Sequence, residues 1–219
     1  SMAYSYALWV KVDNYAHDKQ GTNLISKNTI KDKWPHNNWG DLWVQIRPEI
    51  QAGNSECKQY HAANEVSFNT FGWTGHDSPR ESMMTTGYSL NPGVWNHIVV
   101  TQSSDKQQKI YFNGKCVAGP NNFSSSSLRE NSTDSRIDRT VHANVYIGGG
   151  GVYKAGLNAV IDEVQVWNKP LTDAEVLRAM QGYAANEVPE GLQGYYTFEN
   201  LDKSDNSFAN LGKAGAQYK

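Results

Sequence analysis

Alternation is the dominant pattern along this chain. In "YSYALWVKV", Tyr6, Leu8, Val10 and Val12 fall on one face of an extended segment and Ala7, Trp9 and Lys11 on the other. "NLISKN", "DLWVQIR" with Leu42, Val44 and Ile46 in phase, and "EVSFNTF" with Val66 and Phe68 in phase continue it, followed by "WNHIVVTQ", "QKIYFNGKCVA" and "ANVYIGGG". Asn113-Gly114 lies between two of these runs, and both residues tolerate positive φ, which predicts a tight hairpin. Many short strands separated by turn residues predict an all-β fold, a two-sheet antiparallel jelly-roll sandwich.

Helical periodicity is sustained once, after Pro170. Thr172 suits an N-cap, Glu175 three residues later completes a capping box, and Val176, Leu177 and Met180 form an apolar stripe that Gly182 ends. This predicts one short C-terminal helix over about 173–181. Two polar stretches, 69–94 and 119–142, read as loops at the ends of the sandwich. Residues 183–219 begin a new pattern in which "GLQGYYTFEN" reads as a strand. That segment either docks as an extra strand over a bare sheet edge or starts a following domain; Tyr195, Tyr196, Phe198 and Phe208 need burial, which favours docking.

In sequence, "YALWVKV…NLISKN", "GVWNHIVVTQSSDKQQKIYFNGKCVA" and "VYIGGG…AVIDEVQVWNKPLTDAEV" resemble successive motifs of the laminin-G-like jelly rolls of the concanavalin A-like lectin/glucanase group, and the last also resembles the pentraxins. The resemblance sets residues 3–182 as a laminin-G-like domain and implies ligands held on a concave sheet face or at the loop rim. The tail resembles the opening strand of such a domain, which is missing before "YALWVKV".

Charge and chemistry narrow the functions. With 20 Lys+Arg against 22 Asp+Glu and no basic run, nucleic acid is not an expected partner. No stretch approaches a membrane span, so membrane insertion is not expected. The leading Ser1-Met2 reads as a cloning remnant, and the Asn-, Ser- and Gly-rich composition suits an extracellular or cell-surface protein whose signal segment has been removed. Asn122 and Asn131 sit in N-x-S/T sequons. Cys57 and Cys116 are equally compatible with a disulfide and with two free thiols.

Asp162-Glu163 is the obvious candidate for a catalytic pair. Related retaining glucanases carry their carboxylates two residues apart, on one face of a strand, at the roughly 5 Å spacing such chemistry needs. Neighbouring residues of a regular strand point to opposite faces. Asp162 is therefore expected on the core face with Val160, Val164 and Val166, accepting hydrogen bonds, and Glu163 on the other face with Gln165 and Trp167. No catalytic residue is assigned. No cofactor is expected: the pentraxin-type calcium cluster is replaced by the carboxylate-free "GGGVYKAGLN", although Asp13, Asp18 and Asp41 leave room for a different structural calcium. The histidines lack zinc spacing.

Binding has more support. "KWPHNNWGDLW" and "FGWTGHDSPR" set tryptophans beside hydrogen-bonding side chains in loop-like contexts, while Trp9, Trp95 and Trp167 lie in strands and read as core. Sugar rings stack on exposed aromatics while polar neighbours bond their hydroxyls. The candidate ligand-binding residues are Trp34, His36, Asn38, Trp39, Asp41, Trp73, His76, Asp77 and Arg80. The expected function is non-catalytic recognition of a glycan or glycoprotein, with protein–protein adhesion as the alternative and a glycosidase built from carboxylates on separate strands as the third reading.

Overall fold

The computed structural model describes residues 3–14, 22–28, 40–47, 65–73, 79–105, 107–122, 145–149, 158–184, 186–199 and 201–214. They form two antiparallel sheets and one short helix, the all-β class expected. The chain divides into two compact units.

The first unit comprises residues 1–11, 94–121 and 160–219. Its strands are β1 (Tyr4–Val12), β6 (Trp95–Gln102), β7 (Gln107–Phe112), β8 (Lys115–Asn122), β10 (Ala159–Trp167) and β11 (Leu192–Tyr196), in the order β11-β10-β1-β6-β7-β8. β1 and β6 pair from Tyr4 opposite Gln102 to Lys11 opposite Trp95. The β7–β8 hairpin turns at Asn113 and Gly114, with φ of 50° and 80°, the backbone a two-residue turn requires.

Both faces of this sheet are buried at its centre. Leu8, Val10, Ile98, Val100, Ile110 and Val164 line one face. On the other, Ala7, Val99, Tyr111 and Trp167 form a cluster with Leu171, with Val176 and Ala179 of helix α1 (Asp173–Ala179), and with Leu192 and Tyr195. The helix starts as expected: the Thr172 hydroxyl accepts the Glu175 amide hydrogen and the Glu175 carboxylate accepts that of Thr172. The apolar stripe is Val176 and Ala179, whereas Leu177 is exposed.

β11 docks against β10 with Val164 opposite Tyr196 and Val166 opposite Gly194. The register then shifts so that Trp167 faces Leu192, and the extra residue at Gln193 puts Leu192 and Tyr195 into the same cluster. Tyr196, Phe198 and Phe208 are half-buried; Tyr196 stacks on Phe198 with centroids 6.4 Å apart, and Phe198 meets Phe208 edge-on at 5.3 Å.

The second unit comprises residues 12–93 and 122–159. Its strands are β2 (Thr22–Asn28), β3 (Gly40–Arg47), β4 (Glu65–Trp73), β5 (Pro79–Ser89) and β9 (Val145–Ile147), in the order β5-β4-β3-β2-β9. Leu24, Ile25, Leu42, Val44, Ile46, Val66 and Phe68 are buried, and the Gln45 amide donates to Asn23 Oδ1 at 2.8 Å within that core. Within the stretch 69–94, residues 69–73 and 79–89 are strand and not loop. β4 runs on to Trp73 and β5 pairs with it from Ser89 back to Pro79, because backbone pairing tolerates a polar sequence on an edge strand.

Candidate functional site

Three of the expected binding residues, Asp41, Trp73 and Arg80, lie in described strands of the five-stranded sheet. β3 begins at Gly40, so Asp41 is its second residue. Trp73 is the last residue of β4 and pairs with Pro79, while Arg80 of β5 pairs with Gly72. Leu42 opposite Thr70 fixes β3 in the same frame. The antiparallel register thus brings Asp41, Trp73 and Arg80 to the same end of three adjacent strands. Trp73 and Arg80 belong to strands and not to the loops expected for them. Trp34, His36, Asn38 and Trp39, in the approach to β3, and His76 and Asp77, between β4 and β5, lie outside the described residues.

The acid pair has a different geometry from the one strict alternation predicts. Glu163 has φ of 53°, in the left-handed region, so β10 departs from regular strand geometry between Asp162 and Glu163. Val160 is 45% exposed and Asp162 half-buried, so neither lies on a closed core face. Asp162 does accept a backbone hydrogen bond, from the Glu163 N–H at 2.8 Å, which supports the unusual backbone.

Glu163 is not on an open surface either. Its carboxylate accepts from the Tyr195 hydroxyl and packs beneath Gly182, where an added Cβ would lie 2.7 Å from Glu163 Oε2. Gln165 and Trp167 beyond it are buried, and the Gln165 amide donates to the Ala179 carbonyl at 3.0 Å, so helix α1 closes this face. The Tyr195 hydroxyl also accepts from the Tyr183 amide at 3.0 Å. Arg178 stacks on the Tyr183 ring, 4.4 Å from its centroid, and forms a salt bridge with Glu187.

Burial raises the Glu163 carboxyl above its ordinary range; the Tyr195 bond opposes this, and the charge of Asp162 adds to it. Burial, then the bond to Glu163, pushes the Tyr195 hydroxyl up to about 12. A carboxyl raised by folding contributes stability that is present below its unfolded pKa and is lost as pH rises through its folded pKa. Glu163→Gln, which keeps an acceptor for Tyr195, should therefore stabilise the fold at neutral pH, with the gain vanishing in acid. Glu163→Ala should instead cost about 1–3 kcal/mol by leaving Tyr195 without its acceptor. Urea unfolding of the three proteins at neutral and acidic pH checks both signs.

Sequence reading missed Tyr195 as the partner of Glu163, since nothing local links residues 32 positions apart. It also misplaced Trp95, which is 38% exposed with the Lys11 ammonium 5.3 Å from its ring centroid. Trp167 is buried as expected, whereas Trp9 is half-buried, its indole donating to the Met180 carbonyl at 3.2 Å. Cys116 is a free thiol, while Cys57 lies outside the described residues. Among the described residues no group of three or more His, Cys, Asp or Glu could hold a metal ion. Of the three aspartates considered for calcium, Asp13 is exposed, Asp18 lies outside the described residues and Asp41 is described in its backbone alone. No helix among the described residues is long and apolar enough to cross a membrane.

A family model, that of the concanavalin A-like lectin/glucanases superfamily in its laminin-G form, matches residues 1–177. The chain belongs to this superfamily. The jelly-roll class inferred from strand motifs therefore holds.

Solved structures of similar fold include a candidate carbohydrate-binding protein from Bacteroides ovatus, 16% identical with a TM-score of 0.62 over 95% of this chain and 49% of that one. The CBM40 domain of the Ruminococcus gnavus IT-sialidase is 15% identical with a TM-score of 0.51, covering 80% of this chain and 81% of that one. Domain 4 of AbnA, an extracellular arabinanase of Geobacillus stearothermophilus solved with arabinotriose, is 18% identical with a TM-score of 0.50, covering 81% and 66% respectively. This chain thus spans about half of the Bacteroides ovatus protein. No curated protein matches it in sequence.

Proposed function

We propose that the domain is a non-catalytic carbohydrate-recognition module, working outside the cell or at its surface. The ligand is a glycan or glycoprotein held at the end of the five-stranded sheet where β3 begins and β4 gives way to β5. The observation that carries this reading is the register that gathers the chain around Asp41, Trp73 and Arg80 at one sheet end. The flanking segments contribute Trp34, His36, Asn38, Trp39, His76 and Asp77, a composition suited to stacking sugar rings and bonding their hydroxyls.

The printed descriptions of the Bacteroides ovatus, Ruminococcus gnavus and AbnA domains support a sugar as ligand. Glu163 supports a role without hydrolysis, because its carboxylate is committed to Tyr195 and lies beneath Gly182. Residues 183–214 belong to the same domain on this reading, since β11 completes the sheet edge.

A glycan array followed by calorimetry on the best sugar tests the proposal. Trp73→Ala and Arg80→Ala should each weaken binding, about 10- to 30-fold for a tryptophan hot spot, with an unchanged melting temperature. A silent array together with capture of a defined protein ligand would favour adhesion. Hydrolysis of a β-glucan by pure protein, lost in a Glu163→Gln variant, would replace recognition with catalysis.

A further inference from the structure

His97 lies in β6, two residues after Trp95, and is fully buried. Among the described residues neither ring nitrogen has a hydrogen-bond partner, whereas a buried imidazole ordinarily has at least one. Its ring packs at a tilt of 50° against that of Trp9 on the neighbouring strand, centroids 5.1 Å apart, and Trp9 is the residue directly opposite it in the register.

The main chain of His97 holds the β7–β8 hairpin. Its N–H donates to Asn113 Oδ1 and its carbonyl accepts from the Asn113 N–H, both at 2.8 Å. The adjoining glycine packs against the helix, because a Cβ at Gly114 would lie 2.7 Å from both the Leu177 side chain and the Met180 sulfur. Trp9, through its indole bond to the Met180 carbonyl, ties the other side of the histidine to the same helix end. One unpaired imidazole thus lies where β1, β6, the hairpin and α1 are joined.

We propose that His97 is an acid latch: its protonation frees the Asn113-Gly114 hairpin and helix α1 from the six-stranded sheet. A proton there creates a buried charge with no acceptor, and the cheapest relief is local opening that admits water. Among the described residues the compensation in contact is the tilted Trp9 ring, which attracts a cation weakly compared with lost hydration.

Charged groups on the surrounding elements are engaged elsewhere. Lys11 lies over Trp95, Lys109 over Tyr111, Asp173 accepts from Tyr111, Glu175 pairs with Lys169 and Arg178 with Glu187. Lys115 is exposed. None of these supplies a carboxylate to the imidazole, and burial alone lowers its pKa from 6.5 to about 4.

The sign follows from linkage. Above about pH 6.5 the ring is neutral in both states and stability is constant; below that the unfolded chain takes up a proton the folded chain refuses, so stability falls as pH falls towards 4. Between about pH 7 and pH 5 the opening constant should rise roughly 20-fold. The latch is independent of what the module binds.

Two measurements on the whole protein test it. In an NMR titration of histidine-labelled protein, the His97 ring should titrate well below the ordinary histidine range; a titration near 6.5 would overturn the proposal. Hydrogen exchange, corrected for intrinsic rates, should show residues 111–116 and 173–181 losing protection roughly 20-fold between pH 7 and pH 5. His97→Phe should abolish that loss, while carboxylate effects elsewhere persist in both proteins. Equal losses in both proteins would sink the latch. Should His97→Phe fail to fold, wild-type protection in these two segments falling no more than in the rest of the sheet would sink it equally.

Discussion

Deleting residues 188–219 should abolish the cooperative melting transition of the six-stranded unit. β11 supplies Leu192 and Tyr195, both essentially inaccessible to solvent, to the cluster that holds Trp167, Leu171 and Val176. Removing two such side chains costs about 2–5 kcal/mol each, a sum comparable with the roughly 5–15 kcal/mol that stabilises a whole domain. The deletion also strips the ladder from β10, leaving an open edge prone to pairing with other chains. It deprives the half-buried Glu163 of its Tyr195 partner as well.

The segment beyond β11 closes the edge in its turn. The amides of Leu211, Lys213 and Ala214 donate to the carbonyls of Tyr195, Leu192 and Gln193 at 2.9–3.1 Å, and Asn210 Oδ1 accepts the Tyr195 amide hydrogen. Gly212 is needed there, since a Cβ would meet the Gln193 carbonyl oxygen at 2.5 Å. Calorimetry and the soluble yield of the shortened chain check the prediction. A two-state melt within a few degrees of the full chain would mean that 188–219 belongs to something else.

Local signals were legible and long-range ones were not. Asn113-Gly114 announces its turn because both residues accept the φ values the hairpin demands, and the Thr172–Glu175 capping box announces its helix because donor and acceptor lie three residues apart. Glu163 shows the opposite case. A β-strand reading of "VIDEVQVW" assigns faces by parity, and nothing in a glutamate predicts a left-handed φ; the distortion is supported locally by Asp162 and at a distance by Tyr195. The acids are therefore not separated by the simple alternation that first excluded them. They are occupied instead by a main-chain amide and a phenol.

Similarly, "PRESMMTTGYS" carries little apolar periodicity, and β5 became visible only through its pairing with β4. The same pairing carries the candidate binding site, because Asp41 and Arg80, on strands either side of β4, come to one sheet end through register and not through any motif. Segments rich in aromatic and polar groups could be read from the sequence; the sheet end shared by Asp41, Trp73 and Arg80 could not.

Trp167 and Trp95 look alike in sequence, each in a strand, and should respond oppositely to truncation. Trp167→Ala should cost about 3–5 kcal/mol, since the indole is 2% exposed within the cluster beneath α1 and packs edge-on to Tyr183 at 5.9 Å. The loss also leaves Gln165 Oε1 without the indole N–H that donates to it at 3.2 Å, in a place where water does not reach. Trp95→Ala should cost less than about 1 kcal/mol, because its ring is already in part hydrated and its Lys11 contact is a surface one. For a domain of this size the first corresponds to a fall in melting temperature of roughly 6–20 °C and the second to a few degrees at most. Thermal melts of the two variants decide it. Similar falls would show that Trp95 is part of the packing on this side of the sheet. A small fall for Trp167→Ala would show that α1 and β11 are held by the capping box, the Tyr195–Glu163 bond and the β10–β11 ladder more than by apolar burial.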